Sequence, residues 1–224
     1  MTKPPEDDPA IDRELTKLER LIHPEPPPSE PLSRISTSVR RLARYVNTVP
    51  DTPETLLPLA EKLAILVDQL PGESHPDGEQ RRSRFHDDMA PIEYSANPRG
   101  THPLMGSMNP VAPPIHLRVD GDRMLGEVTF DTLYEGNVGW VHGGFVAAGF
   151  DIMVVTAARL SGRTGPTGTL EVRYLQPTLI HQAMRYESWF ESREGRKIFV
   201  RGKLVQCEDE AVTAEVKGIV IARV

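Results

Sequence analysis

The second half of the chain alternates apolar and polar residues over six short stretches. Such alternation, with a period of two, predicts β-strands that bury one face. The stretches cover residues 115–119, 124–130, 167–175, 183–191, 196–206 and 211–222. Turn-forming residues separate several of them, as at Asp120-Gly121 and Glu194-Gly195. The first two stretches are close enough in sequence to form a β-hairpin.

One long apolar segment interrupts these strands. From Phe145 to Ala158 the only polar residues are Asp151 and Thr156, and a segment that is apolar on all sides is typical of a buried helix. It has about 14 residues where a bilayer needs roughly 20, and it carries an acid near its middle, so we interpret it as a core helix. Two strands, a buried helix and four strands predict an α+β domain whose antiparallel sheet curls around the helix.

The first half of the chain has a different pattern of apolar and polar residues. Helical periodicity over residues 33–47 and 53–70 predicts two helices. Residues 1–30 are rich in proline and predict a mobile tail, with a short helix over residues 11–22 as the alternative. We therefore expect a tail (1–30), a helical extension with a long loop (31–112) and a sheet-and-helix domain (113–224). The arginines of the first predicted helix are expected to form a solvated face rather than an anion site: Arg34, Arg40, Arg41 and Arg44.

Composition narrows the class of protein. A net charge of −6 and a pI near 5.7 do not favour nucleic acid or an anionic membrane as a partner. The single cysteine, Cys207, excludes an internal disulfide framework, and the polar N-terminal sequence is unlike a signal peptide. A cytoplasmic location is expected. His75, His86 and His102 lack the spacing of a metal site, so neither a metal nor a resident cofactor is expected.

Asp151 and the start of its helix are the candidate chemistry. A carboxylate inside an apolar helix is costly unless it is paired or used in function. Gly143 and Gly144 open the same segment and leave its first N–H groups uncovered by side chains. Together with the positive end of the helix dipole, those N–H groups can bind an oxyanion or polarise a carbonyl.

Four motifs carry a resemblance to a known family. They are the turn Glu135-Gly136-Asn137-Val138-Gly139-Trp140-Val141-His142-Gly143-Gly144, an acid nine residues after its histidine (Asp151), a strand opening with Thr167 and followed by Pro177, and a Gly195-Arg196-Lys197 turn. Together they resemble the hotdog fold and, more narrowly, the PaaI-like acyl-CoA thioesterases with their THEM-type relatives. The resemblance covers roughly residues 113–224. Many members have asparagine six residues before the histidine, where this chain has Gly136; Asn137 comes one residue later.

The resemblance implies roles for individual residues. Asp151 would be the nucleophile or general base, the Gly143 N–H would polarise the thioester carbonyl, and the substrate would be an acyl-CoA. His142 would help to position the carbonyl, and Thr167 would orient the attacking water. Four further residues are candidates for substrate binding, the two basic ones through the phosphates of coenzyme A: Gly144, Phe145, Arg196 and Lys197.

Helix geometry predicts that one chain alone does not form a complete active site. Gly143 and Asp151 are eight residues apart, which separates them by about 12 Å along a helix axis. A carbonyl-polarising donor and an attacking group must each lie within about 3 Å of adjacent target atoms. We therefore expect a homodimer, or a higher oligomer built from it, with two sites that each combine Gly143 of one copy with Asp151 of the other.

Two other functions remain as alternatives. The chain could be a non-catalytic acyl-CoA-binding hotdog protein, although Asp151 would then have no evident use. It could also be a hotdog enoyl-CoA hydratase or dehydratase. That activity needs an acid–base pair, and no Asp followed closely by His stands after the helix start. The acyl chain preference does not follow from the sequence.

Overall fold

The computed structural model describes residues 9–22, 29–70 and 102–222. Four α-helices and six strands form its regular structure, with 3-10 helices at Thr132–Tyr134 and Arg159–Ser161. The α-helices are α1 (Pro9–Ile22), α2 (Glu30–Thr48), α3 (Pro53–Asp68) and α4 (Gly143–Ala158). The strands are β1 (His116–Asp120), β2 (Arg123–Thr129), β3 (Thr167–Tyr174), β4 (Ala183–Glu194), β5 (Lys197–Gln206) and β6 (Val212–Ile221).

The six strands form one antiparallel sheet in the order β1-β2-β4-β5-β6-β3. The sheet curls around α4, which contacts β2, β3, β4, β5 and β6. Alternate residues of β5, such as Ile198, Val200 and Leu204, are buried against the helix. A curled antiparallel sheet around a central helix confirms the hotdog fold predicted from the sequence.

Strand β3 lies at one edge of the sheet and carries a β-bulge. Thr167 pairs with Val220 of β6 and Thr169 pairs with Ile219, so Gly168 is the extra residue. At the other end of the strand, Tyr174 pairs with Ala214. β3 therefore runs the whole length of the site described below.

Helix α4 is buried by the sheet. Phe150, Met153 and Val154 have no exposed surface, and the ring of Tyr186 on β4 packs edge-on against Phe150. By length and composition alone, the segment Gly143–Ser161 could cross a membrane, but most of it is buried inside the protein. Its packing is that of a core helix.

The chain divides into two compact units, residues 1–44 with 95–224 and residues 45–94. These boundaries differ from those predicted at 30/31 and 112/113. In the second unit, α3 begins with Pro53 directly after its N-cap residue, Thr52. Residues 71–101, most of the predicted long loop, lie outside the described residues.

Helix α1 occupies much of the predicted mobile tail, as in the alternative of a short helix. Leu18 is buried in the core, and the Glu14 Oε2 lies 2.5 Å from Nη1 of Arg159, the residue that follows α4. Both side chains of this ion pair are buried. Burial of Leu18 and pairing of Glu14 hold this helix against the sheet-and-helix body, despite its polar sequence.

The solvated face predicted for the arginines of α2 is wrong for two of them. Arg40 donates hydrogen bonds to the backbone oxygens of Ala112 (2.8 Å) and Asn109 (2.7 Å). Arg44 forms an ion pair of 2.6 Å with Asp131. Arg34 and Arg41 are exposed, as expected. The difference arises because the partners of Arg40 and Arg44 are remote in sequence.

Candidate functional site

A tight turn positions His142 and Gly143 at the start of α4. The Gly136 N–H donates to the Trp140 oxygen and the His142 N–H donates to the Tyr134 oxygen, each at 2.8 Å. A Cβ at position 136 would lie 2.9 Å from the Cα of His142. Only glycine fits here, because the turn folds its own backbone against the histidine.

His142 caps the helix with its side chain. Its Nδ1 accepts the Gly144 N–H at 2.9 Å. A neutral imidazole whose Nδ1 accepts carries its proton on Nε2, so His142 presents an N–H donor on its far side. The Gly144 N–H, predicted to contact substrate, is occupied by this cap. The Gly143 N–H has no acceptor among the described residues.

Tyr174 lies against the first residue of α4. Its hydroxyl donates to the Gly143 oxygen at 2.7 Å, and burial raises the pKa of Tyr174, which keeps the phenol protonated. A Cβ at position 143 would come within 3.2 Å of the tyrosine ring. Glycine at this position lets the ring pack closely on the helix start.

A cavity of about 640 Å³ opens beside this helix start. Its wall combines apolar surface, such as Trp140 and Leu175, with polar groups of Asn137, His142 and Gln176. Apolar walls with a few convergent polar groups are typical of small-molecule sites. The complete lining is Gly136, Asn137, Trp140, Val141, His142, Gly143, Val146, Tyr174, Leu175, Gln176, Pro177 and Thr178.

Asp151 and Thr167 meet two turns further along α4. The Thr167 Oγ1 donates to the Asp151 Oδ1 at 2.7 Å, and both side chains are half-buried. A hydrogen bond to a charged group holds the carboxylate in one orientation. The structure therefore brings together two of the residues that the sequence analysis assigned to catalysis.

His102 also lies close enough to Asp151 for their charges to interact. Burial lowers the pKa of His102, and the Asp151 carboxylate opposes that effect. From its sequence spacing, this histidine was predicted only not to belong to a metal site. No local signal links it to Asp151, because the two residues are far apart in the chain.

Within one chain the two groups of predicted site residues lie apart. Gly143 lies beside Tyr174 at the C-terminal end of β3, and Asp151 lies beside Thr167 at its N-terminal end. Neither Asp151 nor Thr167 lines the cavity. Eight residues of helix separate the two groups by about 12 Å.

The remaining predicted substrate-binding residues lie outside the cavity lining. The Phe145 ring packs edge-on against Tyr134, with centroids 5.1 Å apart. Arg196 donates from Nε to the Ala222 oxygen at 3.0 Å. Lys197 is exposed and pairs with Ile221, next to the Val220 that pairs with Thr167. The two basic residues are therefore at the Asp151 end of the sheet.

No protein-family model matches the chain. The fold is similar to that of a thioesterase superfamily protein of known crystal structure, with a TM-score of 0.66 and 24% sequence identity, covering 87% of this chain and 97% of that one. It is more distantly similar to zebra fish thioesterase superfamily member 2 (TM-score 0.46, 14% identity, 49% of this chain and 81% of that chain). The E. coli PaaI protein gives a TM-score of 0.45 and 13% identity over 49% of this chain and 80% of that one. The first likeness extends beyond residues 113–224, into the N-terminal half.

Proposed function

We propose that this protein is an acyl-CoA thioesterase, which hydrolyses a thioester to a free carboxylic acid and coenzyme A. The observation that carries the proposal is the 2.7 Å hydrogen bond from Thr167 to Asp151. A carboxylate in an apolar helix is costly to keep. Here it is half-buried and held by a strand residue, which supports a role in chemistry better than a role in packing.

The helix start supplies the complementary half of the reaction. As a nucleophile attacks, the thioester oxygen gains negative charge, and the Gly143 N–H at the positive end of α4 stabilises it. The Nε2–H of His142 adds a second donor beside it. Loss of one such donor typically lowers the rate by about 100- to 1000-fold.

Asp151 acts in one of two ways. It attacks the carbonyl carbon, the thiolate leaves, and water cleaves the resulting mixed anhydride. Alternatively, it takes a proton from water, which attacks, and the thiolate then leaves with that proton. Both routes regenerate the carboxylate.

The two separate groups of site residues support a shared active site. Two copies of α4 related by a two-fold axis place Gly143 of one copy opposite Asp151 of the other, which a single helix does not allow. We propose a homodimer with two such sites. Arg196 and Lys197, at the Asp151 end, are then placed to meet the phosphates of coenzyme A.

Release of free thiol from a panel of acyl-CoAs tests the activity. We expect turnover by the wild type and almost none by Asp151→Asn, with an unchanged far-UV circular dichroism spectrum. An acyl-CoA-binding protein would bind substrate without thiol release, and a hydratase would consume an enoyl-CoA while the thioester stays intact. Either result, or full turnover by Asp151→Asn, would refute the proposal.

Mixed dimers test the shared site. Gly143→Pro removes the N–H at the first helical position, where the proline backbone is tolerated, although its Cβ would also press on the Tyr174 ring of the same chain. Each of Asp151→Asn and Gly143→Pro should be inactive alone. After mixing and subunit exchange, a heterodimer should regain about one working site of two. Inactivity of a verified heterodimer would show that the sites are not shared.

A further inference from the structure

The peptide unit that joins Gly143 to Gly144 is held at both of its polar atoms. The Tyr174 hydroxyl, from the end of β3, donates to its oxygen, which is that of Gly143, at 2.7 Å. The Nδ1 of His142, the N-cap residue, accepts its N–H, which is that of Gly144, at 2.9 Å. The start of α4 is therefore tied both to the edge strand of the sheet and to the turn that precedes the helix.

Both glycines are needed for this arrangement. A Cβ at position 143 would lie 3.2 Å from the Tyr174 hydroxyl, and a Cβ at position 144 would lie 3.0 Å from the His142 Nδ1. Glycine, however, restricts the backbone less than any other residue, so two glycines in a row would leave the helix start free to change conformation. The hydrogen bonds of Tyr174 and His142 supply the restriction that the missing Cβ atoms do not.

One donor of the helix start is left over for a ligand. The first four N–H groups of an α-helix have no partner within it. The Gly144 N–H donates to the His142 ring, and the N–H groups of Phe145 and Val146 donate to the His142 oxygen at 2.9 and 3.5 Å. Of these four groups, only the Gly143 N–H has no acceptor among the described residues. It is one bond away from the Cα that begins the held peptide unit, so its direction depends on how that unit is held.

The next turn of α4 is fixed by a different tyrosine. The Tyr186 hydroxyl, from β4, donates to the Val146 oxygen at 3.2 Å, and the Tyr186 ring packs edge-on against Phe150. Tyr186 is fully buried, whereas Tyr174 is about half exposed beside the cavity. Loss of the Tyr174 hydroxyl should therefore loosen the first residues of the helix and leave the following turns in place.

We propose that Tyr174 is a positioning residue for the Gly143 N–H, whose direction toward the thioester oxygen its hydroxyl fixes together with His142. A donor stabilises the developing negative charge only when it is aimed in advance at the position of the oxyanion. Because burial raises the pKa of Tyr174, the hydroxyl keeps its proton at neutral pH and remains a donor. This inference rests on the proposed thioesterase function for its effect on turnover, but the fixing of the N–H does not.

Backbone ¹⁵N relaxation of the full-length protein tests the fixing of the N–H without any activity measurement. Tyr174→Phe removes the hydroxyl and keeps the ring against Gly143. In the wild type the N–H groups of Gly143 and Gly144 should have order parameters of about 0.85, as in rigid backbone, and in Tyr174→Phe they should fall toward about 0.6. Val146 should keep its wild-type value, because Tyr186 still holds its turn. Flexible glycines in the wild type, or rigid ones in folded Tyr174→Phe, would overturn the proposal.

Kinetics test the effect on turnover. Tyr174→Phe should lower kcat about 3- to 10-fold, the kinetic equivalent of one neutral hydrogen bond, with KM unchanged within about twofold. Tyr174 also lines the cavity, and a change that only weakened substrate binding would raise KM and leave kcat unchanged. Wild-type kcat in Tyr174→Phe, or an effect confined to KM, would refute the positioning role.

The matched control is Tyr45→Phe, which makes the same chemical change at an exposed tyrosine of α2. It should leave kcat and the order parameters of Gly143 and Gly144 at their wild-type values. If the wild type hydrolyses no acyl-CoA, the proposed function fails, while the order parameters still decide whether Tyr174 fixes the Gly143 N–H.

Discussion

Replacing Thr167 by valine removes one hydroxyl and keeps the branched shape of the side chain. The Thr167 hydroxyl donates to the Asp151 Oδ1 at 2.7 Å. Hydrogen bonds to charged groups contribute about 1.5–3 kcal/mol. If that energy serves to orient the carboxylate in the transition state, its loss corresponds to about a 10- to 150-fold lower kcat. The fold should persist, because valine is well suited to a strand.

Thiol release measured over a range of acyl-CoA concentrations separates kcat from KM. Thr167→Ser keeps the hydroxyl and should retain most of the activity. Thr169→Val, an exposed position on the same strand, makes the same chemical change away from the carboxylate and should alter kcat less than about twofold. Wild-type kcat in Thr167→Val would show that the hydrogen bond does not prepare Asp151 for the reaction.

Three further predictions concern stability, each measured by urea unfolding. Gly149→Ala should lower the free energy of unfolding by about 1–2 kcal/mol. The new methyl would lie 2.3 Å from the buried Tyr186 hydroxyl, and this overpacking exceeds the gain in helix propensity. An unchanged free energy of unfolding would mean that the Tyr186 ring can shift. Glu14→Gln should cost about 3 kcal/mol by leaving the buried Arg159 without a counter-charge, and a neutral effect would show that α1 contributes little. Burial opposes ionisation of Glu187, but hydrogen bonds and charges of neighbouring Arg and Lys side chains outweigh it and hold its pKa below 4.5. The unfolded chain therefore binds this proton first, and Glu187 contributes stability at neutral pH that is lost as the pH falls below about 4.5. In Glu187→Gln the free energy of unfolding should therefore fall less steeply as the pH drops below about 4.5.

The central helix and the strands followed from local pattern. The all-round apolar character of residues 145–158 predicted α4, and the structure ends it at Ala158 with a 3-10 helix to Ser161. Strand β5 was predicted over residues 196–206 and forms over Lys197–Gln206. Burial of one strand face or of a whole helix leaves a direct trace in the sequence. The separation of Gly143 from Asp151 followed from helix rise alone.

The polar contacts around the site could not be predicted from the local sequence pattern. The effect of the Asp151 charge on His102, the hydrogen bonds from Arg40 to Asn109 and Ala112, and the ion pair of Glu14 with Arg159 each join residues far apart in the chain. An arginine that binds remote backbone oxygens has the same sequence signature as one that faces solvent. Such partners become visible only once the chain is folded.

The bulge at Gly168 changes which side of the sheet the side chains of β3 face. Thr167 and Tyr174 are seven residues apart, an odd number, so on a regular strand their side chains would face opposite sides of the sheet. The extra residue restores the alternation, and Thr167 and Tyr174 lie opposite Val220 and Ala214, which both face the interior. If all eight residues of β3 paired regularly, without the bulge, Thr167 would turn outward while Tyr174 kept its place. Because the bulge takes up one residue, one edge strand presents Thr167 to Asp151 at one end and Tyr174 to Gly143 at the other, from the same face of the sheet.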